Sequence, residues 1–454
     1  MVGALLPDGL HEVVLPWVDP ERAFLALYRE ADAAFWLDSG PDAVAGRSYL
    51  GSCRPSDAIV VEAGHDVSAA LARVEAESTG RDRALGRYGH LSYEAGAPFV
   101  SLPAVGATEG DPPALVLLRG DPVLEFDHAA RTLRVVATAE RRREADPLVA
   151  ALAALADEPL GDPAPAEPVA SVRRRHDRAA YSALIARCQA AIHAGDAYQL
   201  CLTNEVVVEG RFDPVECYRR LRRSSPSHHG GLIRFGGRAL VSASPERFLT
   251  RDAGGLAATH PIKGTRPRGR DTAEDEALRA ELLASVKERA ENVMIVDLVR
   301  NDLARIAEPG SVRVDRLLEV ETYPHVHQLV SEVSALPAEG IGVAALIAAT
   351  FPAGSMTGAP KRRAVELLRE WEGGPRGVYS GAFGRLGSDG SIDLAMTIRS
   401  LVIEPERARL GTGGGITALS VPEEEVEETL LKARALLAVL GVPREVAEDS
   451  SPGR

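Results

Sequence analysis

The order of strand-like and helix-like segments constrains the fold of this chain more than any other feature of its sequence. Strand-like runs alternate with short helical stretches in the first third, the pattern turns mainly helical from Asp271, and strand-like runs return before a last helical pattern over 422–440. A parallel sheet needs regular alternation of strands and helices, whereas separate runs of each are typical of α+β proteins. The sequence therefore predicts an α+β fold with antiparallel sheets.

Hydrophobic spacing places the individual elements of the second half. The predicted helices cover 179–194, 273–285, 287–303, 343–349, 362–370 and 422–440, and the predicted strands cover 198–208, 230–241, 247–250, 381–385, 394–402 and 409–411.

A proline-rich segment, 157–168, interrupts this pattern. Its twelve residues include four prolines, which cannot continue a helix or a central strand. It is interpreted as an exposed linker or a long crossing at a sheet edge. We therefore expect an N-terminal region over 1–165, a second region over 166–445 that carries the chemistry, and a disordered tail over 446–454.

Composition and charge exclude several classes of function. The 454 residues include 65 acidic and 52 basic side chains, a net charge of −13, which disfavours nucleic acid and anionic membrane surfaces as partners. No apolar run approaches the ~20 residues of a membrane span, and the N-terminus lacks signal-peptide features. The cysteines, Cys53, Cys188, Cys201 and Cys217, form no CxxC pair. These features predict a reduced, cytoplasmic protein.

Two pairs of glutamates lie at helical spacing. Glu288 and Glu291 are three residues apart on one predicted helix, and Glu425 and Glu428 are three apart on another. Residues at this spacing share a helix face, and four facing carboxylates need a cation such as Mg²⁺ to offset their repulsion. The alternative is that the acidic run 423–428 is a solvated helix N-terminus, which the helix dipole favours.

Other charged and flexible segments are candidates for binding an anionic substrate. Lys263 lies in a cation-rich turn, 260–269, and could act as a nucleophile once deprotonated, or be an ordinary solvent-exposed lysine. Glu246 and Arg399 are a candidate acid and a candidate carboxylate clamp. The glycines of 411–415 could direct backbone N–H groups at an anion, although no dinucleotide or P-loop motif is present.

Taken in order, eight motifs resemble those of the chorismate-utilising enzymes, a family of anthranilate, aminodeoxychorismate, isochorismate and salicylate synthases. The resemblance covers about 179–440 and, more loosely, the N-terminal region. It implies a two-subdomain sandwich of antiparallel sheets with helices outside. The motifs are SPERF, PIKGTRPRG, ERAENVMIVDLVRNDLARI, GSMTGAPKRRAVELL, GVYSGAFG, IDLAMTIRS, GTGGGI and SVPEEEVEETLLKARA.

The resemblance implies a role for each matching position. Mg²⁺ would be bound by Glu291 and Glu428, with Glu288 and Glu425 as outer carboxylates. Glu246 would be the general acid and Lys263 the nucleophile. Substrate would be bound by Gly264, Thr265, Tyr379, Arg399, Gly414, Gly415 and Lys432.

Two positions separate members of the family. Gln199 occupies the place of the water-activating lysine of isochorismate and salicylate synthases, and an amide is not a base. Lys263 matches aminodeoxychorismate synthases, whose lysine adds to C2 of chorismate before ammonia adds at C4, whereas anthranilate synthases resemble Pro-Ile-Ala-Gly-Thr there. The implied product is 4-amino-4-deoxychorismate, a precursor of p-aminobenzoate and folate. Gln328, beside His327, stands where anthranilate synthases have a histidine.

The resemblance also implies partners. The sequence shows no cysteine–histidine–glutamate triad of a glutaminase, so ammonia is expected from solution or from a separate glutamine amidotransferase subunit. The alternatives are an anthranilate synthase component, which aminates at C2 and releases pyruvate, and a non-catalytic homologue. The second would be expected to have lost some of Glu246, Lys263, Glu291, Arg399 and Glu428, and all are present. The metabolic fate of the product, effector binding near Leu37-Asp38-Ser39, the role of His327 and the oligomeric state stay open.

Overall fold

The computed structural model of the chain describes residues 4–5, 9–78, 80, 82–108, 110–156, 159–323 and 325–448. Part of the predicted tail, 449–454, and the first two residues of the proline-rich segment lie outside these ranges. Residues 446–448 belong to the last helix, Arg444–Glu448.

The predicted helices of the second half are present, but the sequence does not predict the strands Arg313–Thr322 and Val326–Ala335 or the helix Pro214–Ser224. The strands are Ala4–Leu5 (β1), Leu10–Leu15 (β2), Ala34–Asp38 (β3), Arg47–Ser52 (β4), Ile59–Val61 (β5), Gly86–Leu91 (β6), Leu115–Gly120 (β7), Val123–Asp127 (β8), Thr132–Thr138 (β9), Ser171–Arg174 (β10), Gln199–Glu209 (β11), His229–Phe235 (β12), Arg238–Ser244 (β13), Arg247–Arg251 (β14), Ala257–Thr259 (β15), Ile262–Pro267 (β16), Arg313–Thr322 (β17), Val326–Ala335 (β18), Gly358–Ala359 (β19), Ala382–Gly387 (β20), Ile392–Met396 (β21), Ser400–Glu404 (β22) and Arg407–Ile416 (β23). The helices are Pro20–Leu27 (α1), Ser68–Glu77 (α2), Arg142–Ala154 (α3), Arg178–His193 (α4), Pro214–Ser224 (α5), Thr272–Ala284 (α6), Val286–Ala304 (α7), Val343–Thr350 (α8), Lys361–Trp371 (α9), Pro422–Val439 (α10) and Arg444–Glu448 (α11).

The described strands form two sheets in which every pair is antiparallel. The first sheet has the order β1-β2-β9-β8-β4-β3-β12-β13-β22-β23-β11-β10, with β19 also paired to β11. The second has the order β16-β18-β15-β14-β21-β20-β6-β7-β5, with β17 also paired to β18. This architecture confirms the predicted α+β fold.

The two sheets pack face to face and helices cover their outer faces. Between them, the rings of Phe35 on β3 and Tyr88 on β6 stack with centroids 3.9 Å apart. The outer face of the first sheet packs against α1, α3, α5 and α10, and that of the second against α2, α7 and α8. The sandwich with external helices is therefore confirmed, and α7 and α10 carry the acidic pairs at its surface.

Two predicted strands are wrong in detail. The segment 230–241 is a hairpin of β12 and β13, because Gly236 and Gly237, with φ of 60° and 75°, reverse the chain between them. The segment 394–402 is divided between β21 and β22, and Arg399, with φ of 49°, lies in the break. Both segments read as continuous in the sequence because their flanking residues are apolar.

Each sheet takes strands from both sides of residue 165. In the first sheet β3 pairs with β12, and in the second β6 pairs with β20. The chain between α3 and β10 is held against α5, since Arg219 donates to the Gly161 carbonyl and Arg220 to the Ala164 carbonyl, both at 2.5 Å. The proline-rich segment is thus a crossing over the surface of a continuous structure, and the division into domains stays a prediction.

In the ranges that the structure describes, no helix combines the length and the apolar character that crossing a membrane requires.

Candidate active site

The glycine-rich strand β23 is where the predicted substrate-binding residues meet. It pairs with β11, so that Gly415 faces Cys201, beside Leu200 and Gln199. A Cβ atom added at Gly415 would lie 2.5 Å from the Gln199 Nε2 and 3.6 Å from the Lys263 Nζ. Only glycine leaves room here, and its backbone therefore borders a space shared with an amide and an amine.

Lys263 reaches this space from β16, at the edge of the second sheet. Its side chain is half-buried and donates no hydrogen bond to any residue that the structure describes. Burial opposes its positive charge, but Glu291, Glu246 and Glu428 outweigh burial and raise the lysine pKa above its ordinary value. The amine is therefore protonated at neutral pH and must lose a proton before it can attack an electrophile.

Glu246 lies between β13 and β14 and is 8% exposed. Burial raises its pKa to about 7, although a hydrogen bond from Ser355 and the charge of Lys263 both act to lower it. A carboxyl group with such a pKa keeps its proton in a large fraction of molecules near neutral pH. Glu246 can therefore donate a proton to a leaving group.

Both acidic pairs lie near helix N-termini. Ser285 caps α7 by accepting from the Glu288 backbone N–H, and Pro422 in the first turn of α10 presets the helical backbone before Glu425. Glu291 is 7% exposed, and burial, Glu288 and Glu425 raise its pKa despite the nearby Lys263 and Lys287. Its Oε1 atom is buried without a hydrogen-bond partner among the described residues.

Lysines balance the other carboxylates of the site. The Lys287 Nζ lies 3.2 Å from the Glu425 Oε1, and the Lys432 Nζ lies 2.7 Å from the Glu428 Oε1. Lys432 also donates to the Gly413 carbonyl at 2.9 Å, which ties α10 to β23. Burial opposes ionisation of Glu428, but Lys432, Lys287 and Lys263 outweigh it and lower its pKa.

The carboxylates are of the right chemical type for a metal ion, but they are not arranged around a common point. Within the described ranges, no three or more His, Cys, Asp or Glu side chains are arranged to hold a metal ion. The unpartnered oxygen of Glu291 and the half-exposed carboxylate of Glu428 nevertheless fit a hard divalent cation, which prefers oxygen ligands. A Mg²⁺ ion held by these two glutamates stays a prediction.

Two neighbouring positions, Gly414 and Gly264, leave little room for any side chain. A Cβ atom at Gly414 would lie 2.9 Å from the Glu425 Oε2, and one at Gly264 would lie 3.0 Å from the Glu288 carboxyl carbon. Gly264 also has φ of 82°, a value that favours glycine. Thr265, next along β16, pairs through its backbone with Gln328. These contacts bring the lysine-bearing turn against α7 and β23 against α10.

Tyr379 borders the other end of β23, and Arg399 lies in the break between β21 and β22. A Cβ atom at Gly411 would lie 2.0 Å from the Tyr379 ring, so the ring packs directly on the strand. The Arg399 side chain is exposed to solvent, desolvation by the surrounding protein lowers its pKa, and it makes no hydrogen bond or ion pair with any described residue. A guanidinium without an ion-pair partner can bind a carboxylate. The roles of both residues stay predictions.

Sequence reasoning missed two contributors to the site. Lys287 pairs with Glu425, and Ser355 hydrogen-bonds to Glu246. The four-residue spacing from Lys287 to Glu291 was an available signal, since it places both on one face of α7. Ser355 comes from a turn distant in sequence, and nothing in the sequence links it to Glu246.

Two residues whose roles the sequence leaves open have partners within the protein. His327 bridges the Asp275 carboxylate and the Thr322 hydroxyl, each at 2.9 Å, and so ties β18 to α6. Asp38, in the segment Leu37-Asp38-Ser39, is buried and accepts hydrogen bonds from Arg222 at 2.6 Å and Tyr218 at 3.1 Å. Both residues therefore have structural partners.

Fold and site together consist of two packed antiparallel sheets with a lysine beside a glycine-rich strand and a buried carboxylic acid near that lysine. Chorismate binding enzymes match residues 32–438, and the chain belongs to that family.

Individual relatives carry two different names. The chain is 39% identical to an aminodeoxychorismate synthase of Streptomyces pristinaespiralis over 93% of its own length and 64% of the relative's. It is 38% identical to an anthranilate synthase component 1 of Streptomyces coelicolor, over 93% of the chain and 86% of the relative. Anthranilate synthase component I of Streptococcus pneumoniae has the same fold, with a TM-score of 0.73, 26% identity, and coverage of 96% of this chain and 94% of that one. The chain thus spans less than two thirds of the first relative.

Proposed function

We propose that this chain aminates chorismate at C4 to give 4-amino-4-deoxychorismate, using ammonia. The observation that carries the proposal is the amine of Lys263, which has no ion-pair partner among the described residues and lies beside Gly415. Glu246, which can be protonated near neutral pH, is close enough to affect the pKa of this amine. Gln199, which cannot act as a base toward water, borders that space as well.

The proposed reaction has two displacements. In the first, the neutral Lys263 amine forms a bond to C2, the ring double bonds shift, and the C4–O bond breaks while Glu246 gives its proton to the departing hydroxyl. In the second, ammonia bonds to C4 and the electron pair of the C2–N bond returns to Lys263. Splitting one substitution into two is nucleophilic catalysis, and the buried carboxyl supplies the acid.

Glu291 and Glu428 would hold Mg²⁺, with Glu288 and Glu425 beside them. When bound, the ion would neutralise a substrate carboxylate in a protein whose net charge is −13. Arg399 and the backbone at Gly415 would hold the remaining carboxylate, since a guanidinium and backbone N–H groups both donate to carboxylates.

Ammonia is proposed to come from a glutamine amidotransferase subunit. The described residues from 9 to 448 are taken up by the two sheets and their covering helices, which leaves no separate glutaminase fold in that part of the chain. With glutamine as nitrogen source, the purified 454-residue chain should form no product, whereas ammonium salts should support turnover.

The direct test is identification of the product. Purified chain, chorismate, Mg²⁺ and ammonium should give a compound with the mass of 4-amino-4-deoxychorismate and no pyruvate. Release of fluorescent anthranilate and pyruvate would instead establish the alternative, an anthranilate synthase component, which the 38% identity to such a component supports.

Lys263→Ala tests the nucleophile. The variant should lose C4 amination by roughly 10²-fold or more while keeping its affinity for chorismate, because the clamps and the acid are unchanged. Arg300→Ala, which removes an exposed cation from the outer side of α7, is the matched control and should keep full activity. An undiminished rate in Lys263→Ala would contradict covalent catalysis by this lysine.

A direct binding measurement tests the metal. Titration calorimetry with Mg²⁺ and a non-reactive chorismate analogue should show binding that Glu291→Gln and Glu428→Gln weaken by roughly tenfold or more. Equal affinity in both variants would place any metal elsewhere.

A further inference from the structure

A recess beside Glu246 is lined by residues that do not include Lys263. The volume open to the centre of a water-sized sphere is ≈ 20 Å³, and the lining includes Glu246, Arg247, Thr259, His260 and Asp302, together with apolar side chains of α7 such as Val299. By this measure one water molecule needs about 10–15 Å³, and it needs two to four polar partners. The recess therefore has the room and the polar lining for about one water molecule.

Three buried polar atoms of the lining residues have no hydrogen-bond partner in the described part of the chain: the Thr259 Oγ1, the His260 Nδ1 and the Arg247 Nε. The Arg247 Nε lies 3.6 Å from the Asp393 carboxylate, and Asp302 is held by Lys361 at 2.6 Å. Buried polar groups are nearly always satisfied by protein or by ordered water, so the threonine hydroxyl and the histidine nitrogen are the atoms that water in the recess would bridge.

His260 connects the recess to the protein surface. Its other ring nitrogen, Nε2, lies 3.6 Å from the Glu332 Oε1, whose side chain is 26% exposed. Burial, Arg247 and Arg316 lower the pKa of His260 to about 4, while Glu332 and Glu321 act to raise it. The ring is neutral near pH 7, so one nitrogen donates and the other accepts, and the ring can pass a proton by exchanging tautomers.

Other charged groups also lie at the recess. Arg247 and Asp302 line it, and Asp302 is paired with Lys361. His229, whose pKa burial lowers to about 3, lies near His260 and is also neutral. Glu246 itself lines the recess, whereas Lys263, which borders Gly415, is not among its lining residues.

We infer that Thr259 and His260 form a proton relay, completed by water in the recess, which returns a proton from solvent to Glu246 in each catalytic cycle. The inference rests on the proposed role of Glu246 as acid and holds for amination at either carbon. The C4 hydroxyl takes the Glu246 proton and leaves as water. When the amine leaves protonated, Glu246 ends the cycle as a carboxylate, and substrate or product covers its front. One proton must then arrive from behind, through Glu332, His260 and water.

Thr259→Val and His260→Gln test the relay, because each removes a proton-transferring group at nearly constant volume. Both should lower kcat roughly ten- to hundredfold, leave KM for chorismate unchanged, and be partly rescued by imidazole buffer. Thr259→Ser keeps the hydroxyl and should keep the rate. His228→Gln, at an exposed histidine whose ring lies 4.9 Å from that of Tyr323 and outside the recess, is the matched control.

A second readout needs no turnover. The carboxyl stretching band of Glu246, identified by its loss in Glu246→Gln, should shift on transfer to D₂O more slowly in Thr259→Val and His260→Gln than in wild type. Wild-type exchange rates in both variants would overturn the relay, as would a loss of kcat that imidazole does not restore. A wild-type chain that exchanges normally but forms no amine from chorismate would refute the proposed function and leave the relay standing.

Discussion

At the scale of single residues, the proposed reaction needs a protonated carboxylic acid and a neutral lysine in the same molecule. Glu246 must carry its proton, yet its pKa is about 7, and Lys263 must lack its proton, yet nearby carboxylates raise its pKa. The sequence alone predicts a rate that rises with pH because lysine must deprotonate. It does not predict that the rate stops rising once Glu246 ionises, because the pKa of Glu246 depends on its burial in the folded protein.

The pH dependence follows from these two values. At constant free ammonia, the rate should rise tenfold per pH unit up to about pH 7 as more Lys263 becomes neutral. Above pH 7 each tenfold gain in neutral lysine is offset by a tenfold loss of protonated Glu246, so the rate should level off. Steady-state kcat/KM between pH 5.5 and 9.5 measures this break.

Glu246→Gln is the control for that profile. It should be slower by roughly 10²–10⁴-fold, and its rate should keep rising through pH 7 because no carboxyl remains to ionise. A wild-type rate that still climbs tenfold per unit at pH 8.5 would show that Glu246 is not the titrating acid.

At the scale of elements, local pattern predicts helices well and turns poorly. Predicted helices such as 287–303 and 362–370 end within one residue of the observed α7, Val286–Ala304, and α9, Lys361–Trp371. Their apolar periodicity and caps are local signals. The break at Arg399 has no such signal, because a non-glycine residue adopts positive φ through its surroundings. The sequence could not predict that Lys287 pairs with Glu425 or that Ser355 contacts Glu246, because each partner comes from a distant segment.

The close contacts of Gly415 on β23 predict the effect of adding a methyl group there. Gly415→Ala would place a methyl group 2.5 Å from the Gln199 amide and within 3.6 Å of the Lys263 amine. The variant should lose at least ~10-fold in kcat/KM, because a displacement of about 1 Å can cost two orders of magnitude in rate. Gly161→Ala is the matched control, since an added Cβ there meets nothing within 4 Å. Equal activity of the two variants would show that β23 does not border the substrate.

At the scale of the whole molecule, the order of elements predicts the fold class but not the pairing of the strands. The proline-rich segment suggests two regions, 1–165 and 166–445, as a composition change often does at a domain boundary. In the structure, the segment crosses between strands that belong to common sheets. Pairing of β3 with β12 joins residues about 200 positions apart, and no local pattern encodes such a contact.

Because the sheets are shared, the chain should unfold as one unit. Residues 1–165 expressed alone would expose the edges of β3 and β6, which pair with β12 and β20 in the intact chain, together with the apolar face around Phe35 and Tyr88. Unpaired edges and apolar surface promote aggregation, so the fragment should be insoluble or unfolded. The full chain should show a single thermal transition, and a chain cut at an engineered protease site between Asp162 and Pro163 should still elute as one particle. A fragment 1–165 that folds cooperatively by circular dichroism would contradict this view and establish the N-terminal region as an independent domain.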